Sequence, residues 1–378
     1  DISLFDGSMG ISTTIYNAVN NDVIYNVDVT PSTGADEMTA NGASIGNKGI
    51  EFTIDYRAID TEKLKWNSKL IYASNKNSVL EMNGITGSMA KLMSEDLVPS
   101  RGIAKFSEVS PGREYAEFKV LSWARFGYGM VVDHDLNINT PDVNIDTLKD
   151  YSWSKNDVYV AKNGLPIMYS QKIWSGYAPN PDWTGSFFNE LSIGRKLKIS
   201  CLIDISIGGH IANYTKNALY EWGTHADTDK RYHPDFDNPN WHGYQEGVST
   251  NWGKGTFQEL LNHNHKSIGP GQDTIITYSQ NFYENYMGRN TDVINNIEDA
   301  SYAKLRELSL SYNFGKINNS YLGNPGVIVR LSAQDLITWT KYSGWDPETN
   351  MYQDRISGED YFNQPQTWRA NLALQLNW

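Results

Sequence analysis

The end of the chain alternates between apolar and polar side chains over the length of one β-strand. Every second residue from Trp368 to Trp378 is apolar or aromatic, and most of the residues between them are Arg, Asn or Gln. Successive side chains of a strand point to opposite faces, so this pattern predicts a strand with one apolar face. A tilted strand of about 9–11 residues crosses a bilayer. With Trp368 and Trp378 as girdle residues, the segment predicts a wall strand of a transmembrane β-barrel.

Seven further segments alternate in the same way. In chain order they are about Leu4–Tyr16, Ile50–Tyr56, Leu64–Tyr72, Trp183–Ile193, Leu197–Ile207, Glu307–Phe314 and Val327–Gln334. Short links at 58–63, 194–195 and 315–326 alternate with long segments at about 18–42, 78–182, 223–299 and 341–366. This alternation is typical of short periplasmic turns and long extracellular loops. A soluble sandwich or propeller would have loops of similar size at both ends. The apolar stretch Glu117–Val132 could hold one additional hairpin.

Composition narrows the classes of protein. No run approaches the roughly 20 apolar residues of a spanning helix, and the mean hydropathy is −0.52, which a barrel tolerates because its alternation averages away. The net charge of −12 argues against a nucleic-acid binder. Cys201 is the single cysteine and falls on an apolar strand face, so we expect a small outward-facing hydrophobe and neither a disulfide nor a cysteine-based metal site.

The polar strand faces are rich in Asn, Ser, Lys and Glu, which is too polar for the filled interior of a small closed barrel. We therefore expect part of a larger barrel. The chain starts at Asp1 without a signal peptide, although an outer-membrane protein must be exported. We expect a leader to lie upstream of this residue.

The C-terminal third resembles the SusC/RagA-like TonB-dependent transporters of Bacteroidetes-type outer membranes. The resemblance rests on Ala300–Phe314 (ASYAKLRELSLSYNF), Thr340–Asn350 (TKYSGWDPETN) and Gly358–Gln366 (GEDYFNQPQ), which lead into the last strand. Further similar landmarks lie upstream, in matching order, at Asn47–Ile54, Pro179–Gly185 and Gly208–Thr215.

This resemblance implies an all-β fold, in which the chain forms roughly the last eight strands of an antiparallel barrel of about 22 strands filled by a plug. Residues 1–378 would then be the C-terminal barrel portion, with the plug, the TonB box and the N-terminal extension outside this chain. It also implies a multi-pass protein of the outer membrane. The terminal aromatic Trp378 fits recognition by the barrel-assembly machinery.

The implied function is uptake of oligosaccharides or peptides, driven by the TonB complex and shared with a SusD-like surface lipoprotein that caps the barrel. No enzymatic activity and no cofactor are expected. Two alternatives remain open at this point: a β-rich surface binding or adhesion protein, and a secretion channel on the same scaffold.

The long segment 223–299 is the main candidate for contact with a ligand or partner. It holds eleven acidic and five basic residues and a set of aromatic residues that could stack on a sugar or face a capping protein. A packed loop with a solvated acidic surface is the alternative. The aromatic candidates are Tyr232, Trp241, Tyr244, Trp252, Tyr283 and Tyr286.

Motifs for metal binding or catalysis are weak throughout the sequence. The acidic residues Asp227, Asp229, Asp235 and Asp237 offer oxygens of the kind that bind Ca²⁺, but they lack the spacing of an EF-hand loop, so we predict no metal site. The turn at Asp346-Pro347-Glu348 is interpreted as a structural feature and not as acid–base machinery.

Three arginines near the last strands form a further group. On the resemblance, Arg306, Arg330 and Arg369 are predicted to face the lumen and to hold the plug by hydrogen bonds or ion pairs, in preference to contacting the substrate.

Overall fold

The computed structural model describes residues 1–28, 34, 37–82, 107–108, 110–122, 172–226, 296–317, 323–349 and 358–377. Its elements, in chain order, are β1 (Ile2–Leu4), β2 (Met9–Asp28), β3 (Glu37–Asp60), β4 (Leu64–Met82), β5 (Ser107–Glu108), β6 (Glu117–Val120), β7 (Ile173–Trp174), β8 (Trp183–Ile193), β9 (Leu197–Ile207), β10 (His210–Asn213), α1 (Tyr214–Glu221), β11 (Ile297–Asp299), β12 (Tyr302–Lys316), β13 (Gly326–Thr340), β14 (Glu359–Asp360) and β15 (Arg369–Asn377).

One large antiparallel sheet dominates the described residues. Its nine strands follow the order β1-β2-β3-β4-β8-β9-β12-β13-β15. Each strand of this sheet therefore pairs with the strands of the same sheet that precede and follow it in the sequence. We call this sheet the wall. The predicted all-β fold class is confirmed. Seven of the eight predicted strands overlap one strand of the wall each, and the first overlaps β1 and β2. No helix in the described part of the chain is both long and apolar enough to cross a membrane.

The predicted start of the first strand is wrong. A tight turn at Phe5–Ser8, in which the Ser8 amide donates to the Phe5 carbonyl at 3.0 Å, folds β1 back on the start of β2. Phe5 and Asp6 adopt positive φ angles of 55° and 52° in this turn. Such backbone is rarely adopted by residues other than Gly, and alternation alone does not indicate it.

The predicted loop at 18–42 is also wrong. Strand β2 continues to Asp28 and β3 begins at Glu37, which leaves a link of residues 29–36. Near Asn20 and Val23 the pairing shifts at a bulge, which breaks the alternation that would have identified the extended strand. At about 3.3 Å per residue, the 20 and 24 residues of β2 and β3 are much longer than a bilayer crossing needs.

The apolar stretch Glu117–Val132 does not supply a wall hairpin in its described part. Residues 117–120 form β6, which pairs with β5 and β7 in a separate three-stranded sheet. The residues after 122 in this stretch lie outside the described ranges.

The strand register collects the apolar side chains in continuous rows on one face of the wall. Residues directly opposite each other across a pair share a face, so a row can be followed from strand to strand. One row contains Trp66, Leu191, Ile199, Leu310, Leu331 and Leu372. A second contains Ile11, Ile54, Leu70, Phe187, Ile203, Leu305 and Ile337.

These rows are exposed to an extent that is unusual for large apolar residues. Leu372 is 76%, Leu331 51% and Leu310 43% exposed. A contiguous exposed apolar surface of this extent marks contact with a membrane or a partner. The opposite face is polar, and one row across it reads Lys65, Ser192, Lys198, Ser311 and Arg330. We call the two faces outer and inner.

We predict that Leu331→Lys prevents stable insertion of the wall, whereas Ser332→Lys does not. Lysine on the lipid face costs about 2–4 kcal/mol near the bilayer midplane, and Ser332 is the neighbouring residue on the inner face. The measurement is heat-modifiable migration of the detergent-extracted full-length protein. Equal behaviour of the two variants would contradict the assignment of the outer face to lipid.

Candidate functional site

Segments from three connections, between β4 and β8, between β9 and β12 and between β13 and β15, fold together beside the wall. Strand β10 pairs antiparallel with β11 and parallel with β14, and helix α1 follows β10 directly. Asn213 begins this helix, because its side chain accepts a hydrogen bond from the Lys216 amide at 2.8 Å. We call β5–β7, β10, α1, β11 and β14 the loop cap.

The main buried apolar cluster lies in the loop cap. Phe118 and Val120 of β6, both fully buried, pack with residues from β7, β10, α1 and β11. Burying a side chain of this size contributes about 1.5–3 kcal/mol, so the cluster holds separate links in one unit. Its other members are Ile173, Ala212, Tyr214 and Ile297, with Tyr177 and Tyr361 packed against it.

Two glycines allow the chain segments of the loop cap to approach closely. Gly209 has a φ of +72°, and a Cβ there would lie 2.7 Å from the Pro179 carbonyl oxygen. At Gly358, with a φ of +102°, a Cβ would lie 2.5 Å from the Pro179 Cβ. Both positions therefore require glycine for conformational and for steric reasons. They bring the segment before β8 against the links that carry β10 and β14.

Residues 341–349, which follow β13 and which we call the strap, are bonded to the loop cap at their first end. The Tyr342 hydroxyl donates to Asp360 of β14 at 2.6 Å. The backbone amide and the hydroxyl of Ser343 both donate to Glu298 of β11 at 2.7 Å. Lys216 of α1 donates to the same carboxylate at 2.9 Å. Strands β11 and β14 of the loop cap thus contact the strap directly, and α1 is linked to it through Glu298.

The other end of the strap is bonded to the inner face of the wall. Lys304 of β12, only 1% exposed, donates to both carboxylate oxygens of Asp346 at 2.8 and 2.9 Å and to Glu348 at 2.5 Å. Asp346 also shapes the turn, since its side chain accepts from the Glu348 amide at 2.9 Å and its carbonyl accepts from the Thr349 amide at 3.1 Å. This agrees with the structural interpretation of Asp346-Pro347-Glu348.

Arg306 joins the same network because of an irregularity in the wall. The pairing of β12 with both β9 and β13 shifts between Leu305 and Glu307, so Arg306 is an extra residue at a bulge. Its guanidinium donates to Asp204 at 2.8 Å, to Asp335 at 3.2 Å and to Glu348. One arginine therefore links two wall strands to the strap.

Glu348 is held ionised by this environment. Burial by itself raises the pKa of a carboxyl group, but hydrogen bonds from Arg306, Lys304 and Tyr302 outweigh it and lower the pKa of Glu348 to about 2. The side chain therefore carries its charge throughout the physiological range.

The predicted lumen arginines differ in their surroundings. All three belong to the inner face or its bulge, and the described partners of Arg306 are carboxylates of this chain. Contact of the three arginines with a plug stays a prediction. Arg330 and Arg369 are exposed on the inner face of β13 and β15, opposite Ala373 and Gln334. Within the described ranges neither has an acidic partner, whereas Arg57, Lys65, Lys69 and Lys198 each do.

The remaining site predictions concern the loops and the last strand. Trp368 precedes β15 and is 67% exposed. Its role as a girdle residue stays a prediction. Trp378, the six aromatic candidates of segment 223–299 and the four aspartates considered for Ca²⁺ lie outside the described residues. Cys201 lies on the outer face, opposite Leu308 and Asn189, in agreement with its predicted position.

Sequence reasoning missed an aromatic pair on the loop cap. The rings of Trp222 and Phe362 stack with a centroid distance of 5.4 Å and an interplanar angle of 10°, and they are 57% and 46% exposed. Phe362 has a φ of 50°, and its amide donates to the Thr215 hydroxyl at 2.7 Å. No local pattern indicates this pair, because Trp222 and Phe362 come from different links.

Comparison with curated proteins relates the chain to TonB-dependent receptors. It is 23% identical over 395 residues to TonB-dependent receptor P3 of Formosa agariphila, which covers 100% of this chain and 33% of that protein. TonB-dependent receptor P26 of the same organism is 31% identical over 85 residues, 22% of this chain and 9% of the relative. The chain thus spans about a third of the first relative. No family model matches it.

Solved structures show the same fold. A chain of the RagAB peptide importer in its open-open state superposes with a TM-score of 0.58 at 17% identity, covering 100% of this chain and 33% of that chain. The closed-closed state gives 0.55 at 16% identity, with 99% and 34% covered. The resemblance to SusC/RagA-like TonB-dependent transporters is confirmed, and the wall matches part of the RagA barrel. The relatives are receptors, in agreement with the prediction that the chain is not an enzyme.

We predict that acid releases the strap from the wall over the pH interval in which Glu348 becomes protonated. Its pKa in the folded state, about 2, lies below its ordinary value of 4.5, so its contribution to stability is complete above pH 4.5. The contribution is lost as the pH falls from 4.5 toward 2. The measurement is pepsin cleavage within residues 341–349 of the full-length protein between pH 4 and pH 2, normalised to a peptide of that sequence.

The control for this experiment is Glu348→Gln. It lacks this titrating group, so its normalised cleavage should start higher and rise less than that of the wild type over the same interval. A wild-type strap whose cleavage rises no more than that of the variant would contradict the role given to this carboxylate.

Proposed function

We propose that this chain, related over its whole length to TonB-dependent receptors, forms the C-terminal part of the barrel of an outer-membrane nutrient importer. The observation that carries the proposal is the wall itself. Its outer face presents continuous exposed apolar rows across six and seven strands, and its inner face is polar. A soluble adhesion protein would not need such a face, and a barrel that encloses a polar lumen does.

In this proposal residues 1–378 supply roughly eight of about 22 wall strands. The plug and the segment that contacts the TonB complex belong to the part of the protein outside this chain. The barrel crosses the outer membrane several times, with the loop cap on the extracellular side. Insertion would depend on the barrel-assembly machinery acting on the last strand.

A SusD-like lipoprotein is the proposed partner at the extracellular mouth. The loop cap supports this role, because its links are held by one buried core and it presents the exposed pair Trp222 and Phe362. Exposed aromatic rings contribute strongly to protein and sugar contacts. The aromatic residues of segment 223–299 remain further candidates. The substrate is proposed to be an oligosaccharide or a peptide.

The test of the function is deletion of the gene in its native host, followed by growth and uptake assays with defined peptides and oligosaccharides. We expect uptake of one of these classes to be lost and to return with the wild-type gene, but not with Leu331→Lys. The returned uptake should stop when the proton gradient across the inner membrane is dissipated. Recovery of the protein only from the soluble fraction would refute the proposal.

Arg330 and Arg369 are proposed to hold the plug. Because Gln334 faces Arg369, four residues separate the two positions along the wall, which is about 13 Å. Two exposed guanidinium groups without described carboxylate partners suit acidic groups on a structure that fills the lumen.

We predict that the double variant Arg330→Gln/Arg369→Gln loosens the plug. Permeability of the outer membrane to a large hydrophilic antibiotic should rise severalfold at unchanged receptor abundance. The control is Lys198→Gln, which removes an inner-face cation that already has Glu190 as its partner. Equal permeability of the wild type, the control and the double variant would refute a plug contact.

A further inference from the structure

The strap is held at both ends by different parts of the molecule. Tyr342 and Ser343 bond to the loop cap through Asp360 and Glu298. Asp346 and Glu348 bond to the wall through Lys304. Only a few residues separate the two anchors, so the strap can extend only slightly between them. Movement of the loop cap relative to the wall must therefore break one anchor or stretch the other.

Glu348 is the residue on which the wall anchor converges. Its carboxylate contacts Lys304, Arg306 and the Tyr302 hydroxyl, all on β12. Asp346 contacts only Lys304 among these groups. Through Arg306, Glu348 is also linked to Asp204 of β9 and Asp335 of β13. A single strap residue thus engages three adjacent wall strands.

The burial of Lys304 makes this anchor selective for one position of the strap. At 1% exposure its ammonium group cannot exchange its carboxylate partners for bulk water. A buried charge that loses one partner is left partly uncompensated, which is strongly unfavourable. Any shift of the strap that separates the carboxylates from β12 carries this cost, so the network disfavours intermediate positions.

We propose that Glu348 is a positioning residue that locks the loop cap to the inner face of the wall. The lock sets the geometry in which the extracellular mouth meets its ligand or partner. This inference goes beyond the proposed function, because it concerns how the cap is held and applies whether the cargo is a peptide or a glycan. Loss of the lock leaves the barrel intact and loosens the strap and the part of the cap bonded to it, which includes β11.

The first experiment measures hydrogen exchange in the detergent-solubilised full-length receptor at pH 7, for the wild type, Glu348→Gln and Glu348→Asp. In Glu348→Gln we expect amides of residues 341–349 and of β11 to exchange at least tenfold faster, with β8 and β9 unchanged. Glu348→Asp keeps the charge and should recover part of the protection. The strap amides that report directly are those of Ser343, Glu348 and Thr349.

Glu190→Gln is the matched control. It makes the same change on the inner face of β8, where Glu190 accepts from Lys198 at 2.7 Å and has no described contact with the strap. Its exchange in residues 341–349 should equal the wild type. Unchanged strap exchange in Glu348→Gln, or an equal increase in Glu190→Gln, would overturn the proposal.

The second experiment separates positioning from general stability. In cells that take up a defined substrate, Glu348→Gln should raise the KM for uptake severalfold at unchanged receptor abundance and heat-modifiable migration. A fall in abundance with an unchanged KM would show a purely structural role and overturn the positioning role. If the wild type transports nothing, the proposed function fails, while the exchange experiment still decides whether the lock exists.

Discussion

The pairing register between neighbouring wall strands is the constraint on which the rest of this structure depends. Side chains alternate with a period of two, so a slip of one residue would move every apolar side chain of a strand to the opposite face. The observed register instead aligns Leu310 with Ile199 and Leu331, and Leu305 with Ile203 and Ile337. A wall in lipid also has to satisfy all its backbone groups internally, and continuous antiparallel pairing does this.

The same constraint explains why the anchor lies at a bulge. Leu305 and Leu308 are three residues apart, so in a strand with perfect alternation one of them would lie on the inner face. The extra residue Arg306 restores both to the outer face, where they oppose Ile203 and Cys201. The bulge thereby brings Arg306 next to Glu348, which Lys304 also contacts. Placement of the apolar rows and assembly of the ion network are two results of one local irregularity.

The wall was predictable from the sequence because it depends on a local pattern. The loop cap was not, because it depends on contacts between residues that are distant in the sequence. Alternation is a local property, so segments such as Trp183–Ile193 and Leu197–Ile207 could be identified with their bounds. In the part of β2 beyond Tyr16 a bulge breaks the alternation, so the sequence predicts a loop there. The core around Phe118 joins residues from separate links, and the contact of Lys304 with Glu348 joins a wall strand to the strap. No spacing in the sequence encodes such contacts. The sequence predicts that Arg306 lies on the inner side of the wall. It does not indicate the path of the strap, which determines that Glu348 is a partner of Arg306.

The wall and the loop cap are stabilised by opposite means, and the strap has to join them. The wall exposes its apolar side chains outward and relies on backbone pairing, whereas the loop cap buries Phe118 and Val120 in a compact core. A core of this kind packs in one arrangement and resists small displacements. The cap therefore moves as a unit or not at all. Polar contacts are suited to the junction, because ion pairs lose their strength sharply when one partner is withdrawn from a buried site. A junction built from Lys304, Arg306 and Glu348 consequently favours a fixed position of the cap over a continuous range of positions.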